Sequence, residues 1–244
     1  MTKLHIDLLE LVTFYDVDAG ARTHSNSIKT LAGEELAFAL MSHYFENEKG
    51  AVSACRLNTP CTTGKKKGFR LDGWFAVQEI SGTTHFQVEV KSWSFHGYGE
   101  KKVPLPLECT DDQFSRVQTT NWRRYWDSEN HRFHAKGLRK VMDPMGRPAG
   151  HAFMAPPRPL ACLWAPLHPT GEPQPYFEMR TPGYSVFESV AVFSLSTYAR
   201  NLIKKRHRKI LVDMPDAYRR LAHLARIFQY PSLDVQIGPA YEAA

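Results

Sequence analysis

Hydrophobic and polar residues alternate along two neighbouring segments in the first half of the chain. The segments "FRLDGWFAVQEI" and "TTHFQVEVKSWSF" flank the pair Ser81-Gly82, which is typical of a tight turn. Alternation with a period of two predicts β-strands, because successive side chains of a strand point to opposite faces of the sheet. The pattern therefore predicts a β-hairpin with Ser81-Gly82 as its two-residue loop.

The register of this hairpin decides which side chains share a face. With the predicted loop, Asp72 pairs with Lys91 and becomes a diagonal neighbour of Glu89, about 7–8 Å away. One face is predicted to be apolar and consists of Leu71, Phe75, Val77, Phe86, Val88 and Val90. The other face consists of Asp72, Trp74, Gln87, Glu89 and Lys91. A slip of one residue would place Asp72 on the face opposite Glu89 and Lys91, so the register is a testable expectation.

A helix is predicted before the hairpin, within "THSNSIKTLAGEELAFALMSHYFENEKG". Good helix formers dominate from Leu31, and Gly50 follows its end. Phe38, Met41 and Phe45 recur at spacings of three and four residues, which predicts one buried stripe on this helix.

The rest of the chain predicts a mixed α/β sheet covered by helices in one domain. Residues 4–18 fit a strand or a short helix, and residues 111–127 fit a helix. Two strands are expected within "RPLACLWAPL" and "SVFESVAVFSLS", and two helices in "TYARNLIKKRHRK" and "PDAYRRLAHLARIFQY". We expect a single domain over residues 1–244, with a basic insertion around 128–158 and C-terminal helices in 195–230.

Composition favours a cytoplasmic protein with no membrane partner. Hydrophobic residues make up 43% of the 244 residues, but no apolar run has the length of about 18 that a membrane span needs. The N-terminal segment contains acidic residues within its apolar stretch and lacks a cleavage site, so a signal peptide is not expected. The spacing of the four cysteines matches no zinc knuckle, and we expect free thiols at Cys55, Cys61, Cys109 and Cys162.

Charge adds a weak indication of a polyanionic partner. The chain has 31 Lys and Arg against 25 Asp and Glu, for a net charge of +6. The basic residues cluster at Lys65-Lys66-Lys67, from Arg123-Arg124 to Lys140, and from Lys204 to Lys209. Such clusters suit phosphate contacts, and they also occur on ordinary solvated surfaces.

Several other chemistries lack their sequence motifs. The chain contains no phosphate-binding P-loop and no dinucleotide-binding fingerprint, which disfavours kinase and Rossmann-type functions. His131 and His134 have no cysteine pair or third histidine at zinc spacing, which disfavours a zinc site.

The charged face of the hairpin has two interpretations. Converging carboxylates of Asp72 and Glu89 would repel each other unless a cation lay between them, and oxygen ligands suit Mg²⁺ or Mn²⁺. A lysine beside such an ion can polarise a phosphate or help to activate water. Alternatively, Asp72 and Lys91 form an exposed cross-strand ion pair and Glu89 is simply solvated.

The motif "LDGWFAV" followed by "VEVKSW" resembles that of the PD-(D/E)xK superfamily, the restriction-endonuclease-like nucleases. Asp72 matches its first acid, Glu89 its second acid and Lys91 its lysine. The superfamily also has a glutamate on the helix before the hairpin, commonly in a Gly-Glu pair, and Gly33-Glu34 stands at that place. Glu35 is the alternative if the helix is rotated. The residue before Asp72 is leucine, where proline is frequent in the superfamily.

The resemblance implies an α/β fold with a restriction-endonuclease-like core, a mixed central sheet flanked by helices. It implies hydrolysis of DNA phosphodiester bonds with Mg²⁺ or Mn²⁺, with RNA left open as a substrate. Glu34, Asp72, Glu89 and the Val90 carbonyl would hold the metal, and Lys91 would orient or activate water. Expected nucleic-acid contacts are Lys65, Lys66, Lys67, Gln118, Arg123 and Arg124. A homodimer would supply two sites for two strands. The alternative is an inactive nucleic-acid-binding or interaction module on the same fold.

Overall fold

The protein contains four helices and twelve strands in the parts of the chain that the structure describes. This structure, a computed structural model, describes residues 2–17, 33–57, 70–91, 157–164, 174–180 and 187–228, the segments 109–110, 126–127, 132–133 and 167–168, and residue 129. The helices are α1 (Leu8–Val17), α2 (Gly33–Glu48), α3 (Leu195–Lys204) and α4 (Pro215–Phe228). Within these described ranges, no helix has both the length and the apolar character that a membrane span requires.

Six of the strands form one mixed sheet. The longer strands are β1 (Lys3–Asp7), β2 (Ala51–Leu57), β3 (Gly73–Glu79), β4 (Gly82–Lys91), β8 (Arg158–Leu163), β10 (Tyr176–Arg180), β11 (Ser189–Ser194) and β12 (Lys209–Asp213). The two-residue strands are β5 (Cys109–Thr110), β6 (Trp126–Asp127), β7 (Arg132–Phe133) and β9 (Leu167–His168). The sheet has the order β10-β11-β8-β4-β3-β2, in which β4, β8 and β11 are parallel and the remaining pairs are antiparallel. The predicted mixed α/β architecture is confirmed.

The hairpin of β3 and β4 forms where the sequence predicts it, but in a different register. Glu79 pairs with Gly82, so the loop is Ile80 and Ser81 rather than Ser81 and Gly82. Gly82 has a φ of 133°, which residues with a side chain rarely adopt, and this explains why glycine follows the loop. The predicted register is wrong by two residues. A shift of two leaves Phe75, Phe86 and Val88 on the predicted core face, because strands repeat every two residues.

Helix α2 covers the apolar face of this sheet. Phe38, Met41 and Phe45 are buried, as their spacing predicts. The ring of Phe45 lies 5.3 Å from that of Phe75 on β3 and 5.9 Å from that of Phe86 on β4. Burial of each such side chain contributes about 1.5–3 kcal/mol, so this contact fixes the helix over the hairpin.

The end of α2 is held close to the loop end of the hairpin. A Cβ atom on Gly50 would lie 2.3 Å from the backbone oxygen of Gln78, so only glycine allows this approach. Strand β2 then begins at Ala51, which pairs with Gln78, and its last residue Leu57 pairs with Gly73. The first turn of α2 carries Glu35, which contacts the first turn of α4.

A second, two-stranded sheet joins the ends of the described chain. Strands β1 and β12 pair antiparallel, and β1 leads directly into α1. The carboxylate of Asp7 caps α1 by accepting hydrogen bonds from Leu9 N (3.0 Å) and Glu10 N (3.2 Å). The N-terminal segment, for which the sequence allowed a strand or a helix, thus contains both.

Other boundaries depart from the predictions. The helix predicted in 197–209 starts at Leu195 and ends at Lys204, and Lys209 begins β12. Trp126 and Asp127 pair with Arg132 and Phe133 in a small antiparallel sheet instead of ending a helix, while residues 111–125 lie outside the described residues. The hydrophobic pattern of the chain does not predict β2 or β10.

Candidate active site

The charged face of the hairpin is buried. The exposed fraction is 8% for Asp72, 1% for Gln87 and 0% for Glu89. The interpretation of this face as a solvated surface with an exposed Glu89 is therefore wrong. Removing a carboxylate from water costs several kcal/mol unless cations or hydrogen-bond donors compensate it. Acidic residues at this position thus need a specific physical reason.

Asp72 makes a hydrogen bond to the backbone of β4. Its Oδ2 atom accepts from Val90 N at 2.7 Å, and both residues are buried. Glu79 and Gly82 close the hairpin, so every second residue of β4 from Gly82 directs its N–H and C=O toward β3. Val90 belongs to this series. Because β3 begins only at Gly73, the carboxylate of Asp72 takes the place that a strand carbonyl would occupy.

The observed register places Asp72 and Glu89 just beyond the last pair of the hairpin, Gly73 and Val88. Asp72 is the residue before β3, and its carboxylate is turned toward Val90 N. Both acids are buried. Two buried carboxylates therefore belong to neighbouring positions at this end of the hairpin.

The donors at this place suit a hard divalent cation. The N–H and C=O of one strand residue point to the same side, so the Val90 carbonyl is directed toward Asp72 as its N–H is. Asp72, Glu89 and this carbonyl offer only oxygen, the ligand type that Mg²⁺ and Mn²⁺ prefer. Among the described residues, no three His, Cys, Asp or Glu side chains are grouped closely enough to hold a metal ion. Asp72, Glu89 and the Val90 carbonyl would suit Mg²⁺, which commonly binds through one or two carboxylates and retains waters.

Lys91 is the last residue of β4 and lies at the carboxyl ends of three parallel strands. It pairs with Leu163, the last residue of β8, which in turn pairs with Ser194, the last residue of β11. Ligands of open α/β sheets commonly bind at this edge. The backbone position of Lys91 is described, whereas its side chain lies outside the described part of the structure.

The structure separates the two glutamates of α2. Glu35 accepts hydrogen bonds from Asp216 N (2.9 Å) and Ala217 N (2.7 Å) in the first turn of α4. Met214, which precedes that helix, has no side-chain oxygen to cap it, so Glu35 serves as the cap from another helix. Arg220 adds an ion pair to Glu35 at 3.6 Å. Glu35 therefore has a structural role, and Glu34 is left as the helix candidate.

Glu34 lies in the first turn of α2 and is partly exposed. That turn adjoins the first turn of α4 through the neighbouring Glu35. The helix covers the apolar face, however, whereas Glu89 is on the other face. Glu34 would have to approach Asp72 around the end of β3.

Cys162 is a buried free thiol on the strand next to Val90. Burial, and in second place the negative charge of Asp72, raise the pKa of this thiol well above its ordinary value. The thiol is therefore protonated at neutral pH and is not a nucleophile. This confirms the predicted free thiol at Cys162; the side chains of the other three cysteines lie outside the described residues.

Gln87 is a candidate that the sequence analysis placed on the correct face without giving it a role. It is buried two residues before Glu89, and the two-residue alternation of β4 directs both side chains to one side. The same alternation that selected Glu89 and Lys91 could have identified Gln87. The predicted contacts Lys65, Lys66, Lys67, Gln118, Arg123 and Arg124 all lie outside the described residues.

The comparisons with known proteins supply no relative. No protein-family model, no curated protein and no solved structure matches the chain.

Proposed function

We propose that this protein is a divalent-metal-dependent endonuclease that hydrolyses DNA phosphodiester bonds on a restriction-endonuclease-like core. The observation that supports this proposal most is the burial of Asp72 and Glu89 next to the last pair of the hairpin, Gly73 and Val88. Two buried acids at the carboxyl edge of parallel strands are costly for folding, and a bound cation would compensate their repulsion. The D–ExK motif and the helix that precedes the hairpin support the same assignment.

The residues of the site have distinct tasks in this proposal. Asp72, Glu89 and the Val90 carbonyl would hold Mg²⁺, with Glu34 as an additional acid from α2. When bound, the ion supplies positive charge that stabilises the negative charge developing on the phosphate. The Val90 N–H fixes the direction of the Asp72 carboxylate through the 2.7 Å hydrogen bond. Lys91 would donate a hydrogen bond to the attacking water and hold it in line with the phosphorus.

A substrate panel tests the proposal. The purified protein is incubated with supercoiled plasmid, linear duplex, single-stranded DNA and RNA, in Mg²⁺ or in EDTA. We expect cleavage of DNA with Mg²⁺ and none with EDTA. Absence of cleavage on every substrate with Mg²⁺ and with Mn²⁺ would overturn the enzymatic proposal and leave an inactive module on the same fold as the better account.

A further inference from the structure

A run of six basic residues ends α3, forms the turn after it and begins β12. Residues 204–209, "KKRHRK", are all exposed, and we call them the basic turn. Two of them are ion-paired: Lys205 Nζ lies 3.0 Å from Glu48 Oε1, and Arg208 Nε lies 3.2 Å from Asp7 Oδ2. Within the described residues, Lys204, Arg206 and Lys209 form no ion pair. Much of the charge of the turn is therefore presented to solvent.

Arg206 occupies a backbone conformation that favours glycine. Its φ is 66°, and it is the only non-glycine residue with positive φ among those described. It follows the C-cap Lys205, and the next residue, His207, donates a backbone hydrogen bond of 2.9 Å to Leu202 O. This is the position after a helix end at which glycine is usual, because a side chain there is strained. An arginine at this position is unfavourable for the fold and points to a role outside it.

The basic turn lies far from the candidate active site. Lys205 contacts Glu48 at the end of α2, and Gly50 lies against Gln78 at the loop end of the hairpin. Asp72 is seven residues from Glu79 along the hairpin, which corresponds to about 23 Å of extended strand. The turn and the carboxylates are thus at opposite ends of the hairpin.

We propose that the basic turn binds the phosphate backbone of duplex DNA at a distance from the cleaved bond. The location of the basic turn is an observation that does not depend on the proposed function. The choice of DNA as its ligand rests on the proposed nuclease function. The hairpin spans about 23 Å between these two ends, the length of about seven base pairs at 3.4 Å per step. The turn therefore contacts a flanking part of the same duplex and gives the protein a minimum substrate length.

The composition of the turn favours nucleic acid over a lipid surface. Membrane-surface segments combine basic residues with exposed aromatic or aliphatic ones that enter the acyl region. The run has no apolar residue between Ile203, which packs against the core, and Ile210, which is buried. A cluster of charges without an inserting side chain is instead suited to phosphates along a duplex.

The test compares two triple variants of the full chain in EDTA, so that cleavage does not interfere. One variant is Lys204→Gln, Arg206→Gln and Lys209→Gln; the matched control removes three exposed charges elsewhere, at Lys3, Arg219 and Arg226. Binding of a fluorescent 30-base-pair duplex is measured by anisotropy over a salt series. We expect the turn variant to bind about tenfold more weakly, with the slope of log Kd against log salt reduced by about 0.9 for each lost contact. Binding equal to that of the control variant would overturn the proposal.

Two further results separate this inference from the nuclease proposal. If the plasmid is not cut but the turn variant still loses duplex affinity, duplex binding by the turn stands, whereas the nuclease proposal and the distance from a cleaved bond fail. If the plasmid is cut but the turn variant binds duplex like its control, only the inference fails. Loss of binding to vesicles with phosphatidylserine, without loss of duplex binding, would also overturn it.

The substitution Arg206→Gly tests the role of the strained arginine separately. Glycine relieves the backbone strain, so we expect Tm to rise by about 2–4 °C while duplex affinity falls. The substitution Arg206→Lys keeps both charge and strain and is expected to leave both quantities close to those of the wild type. A glycine variant that binds duplex as well as the wild type would show that Arg206 is not a contact.

Discussion

The backbone N–H of Val90 donates a 2.7 Å hydrogen bond to the carboxylate of Asp72, across the end of the hairpin where β3 begins. One residue on each strand thereby connects the architecture of the sheet to the proposed chemistry. The bond completes the ladder of β4 where β3 provides no strand carbonyl, and it also fixes the direction of an acid that lies just beyond the Gly73–Val88 pair. Asp72 therefore has a structural contribution that must be separated from its catalytic one.

Substitutions at Asp72 can separate these contributions. Asp72→Ala leaves the buried Val90 N–H without this acceptor, and we expect the free energy of unfolding to fall by about 1–3 kcal/mol. Asp72→Asn keeps a carbonyl oxygen and is expected to cost less than about 1 kcal/mol, yet to abolish metal-dependent cleavage. Urea denaturation and plasmid cleavage measure the two effects. An asparagine variant with full activity would show that the negative charge is not required.

The two glutamates of α2 are expected to behave in opposite ways. Glu35→Ala removes the cap of α4 and should lower the free energy of unfolding by about 1–3 kcal/mol, because two backbone N–H groups lose a charged acceptor. Glu34→Ala should change stability by less than about 0.5 kcal/mol and reduce cleavage. Thermal or urea unfolding of both variants provides the comparison. The assignment of Glu35 as a cap fails if the Glu35 variant is as stable as the Glu34 variant.

Position 82 is expected to require glycine. The sequence pattern places Gly82 in the loop, whereas in the structure it is the first residue after the loop. Gly82 has a φ of 133°, so Gly82→Ala should destabilise the protein by about 1–3 kcal/mol through backbone strain. Ser81→Ala is the control, since Ser81 is exposed and has no positive φ. Equal stability of the two variants in chemical denaturation would contradict the observed register.

Stability should fall on mild acidification because of His43. Its Nδ1 lies 2.6 Å from the Tyr198 hydroxyl, and burial lowers the pKa of the imidazole below 6.5, partly opposed by Glu46 and aided by His207. Because the pKa is lower in the folded protein, the unfolded chain binds the proton more readily. The contribution of His43 to the free energy of unfolding is therefore present above about pH 6.5 and is lost as the pH falls below it. Unfolding of the wild type and of His43→Gln between pH 5 and 8 measures this. The glutamine variant should show a smaller acid loss, and an identical pH profile would refute the role of His43.

The face of each hairpin residue could be predicted from the sequence, but its register could not. Loops at Ser81-Gly82 and at Ile80-Ser81 differ by a two-residue slip, and both leave Phe86 and Val88 in the core. The hydrophobic pattern therefore cannot distinguish them. The backbone conformation of Gly82 decides between them, and a Ser-Gly pair in the sequence does not reveal which residue has positive φ.

The burial of Glu89 and the role of Glu35 depend on partners that are distant in sequence. Period-two alternation placed Glu89 opposite the apolar face, which in isolation suggests solvent, yet the residue is fully buried. Glu35 caps a helix that begins 180 residues later, and no local pattern on α2 indicates this contact. Local patterning predicts which segments are helices and strands. Contacts such as the cap that Glu35 provides depend on segments that are distant in the sequence.

The nicking of supercoiled plasmid in Mg²⁺ by wild type, Lys91→Ala and Glu89→Gln tests the central claim most directly. Both residues belong to the proposed catalytic motif, so each variant should be at least about 100-fold slower than the wild type, with an unchanged circular-dichroism spectrum. The wild-type activity should disappear in EDTA. Nicking by the folded variants at the wild-type rate would contradict the assignment of this site.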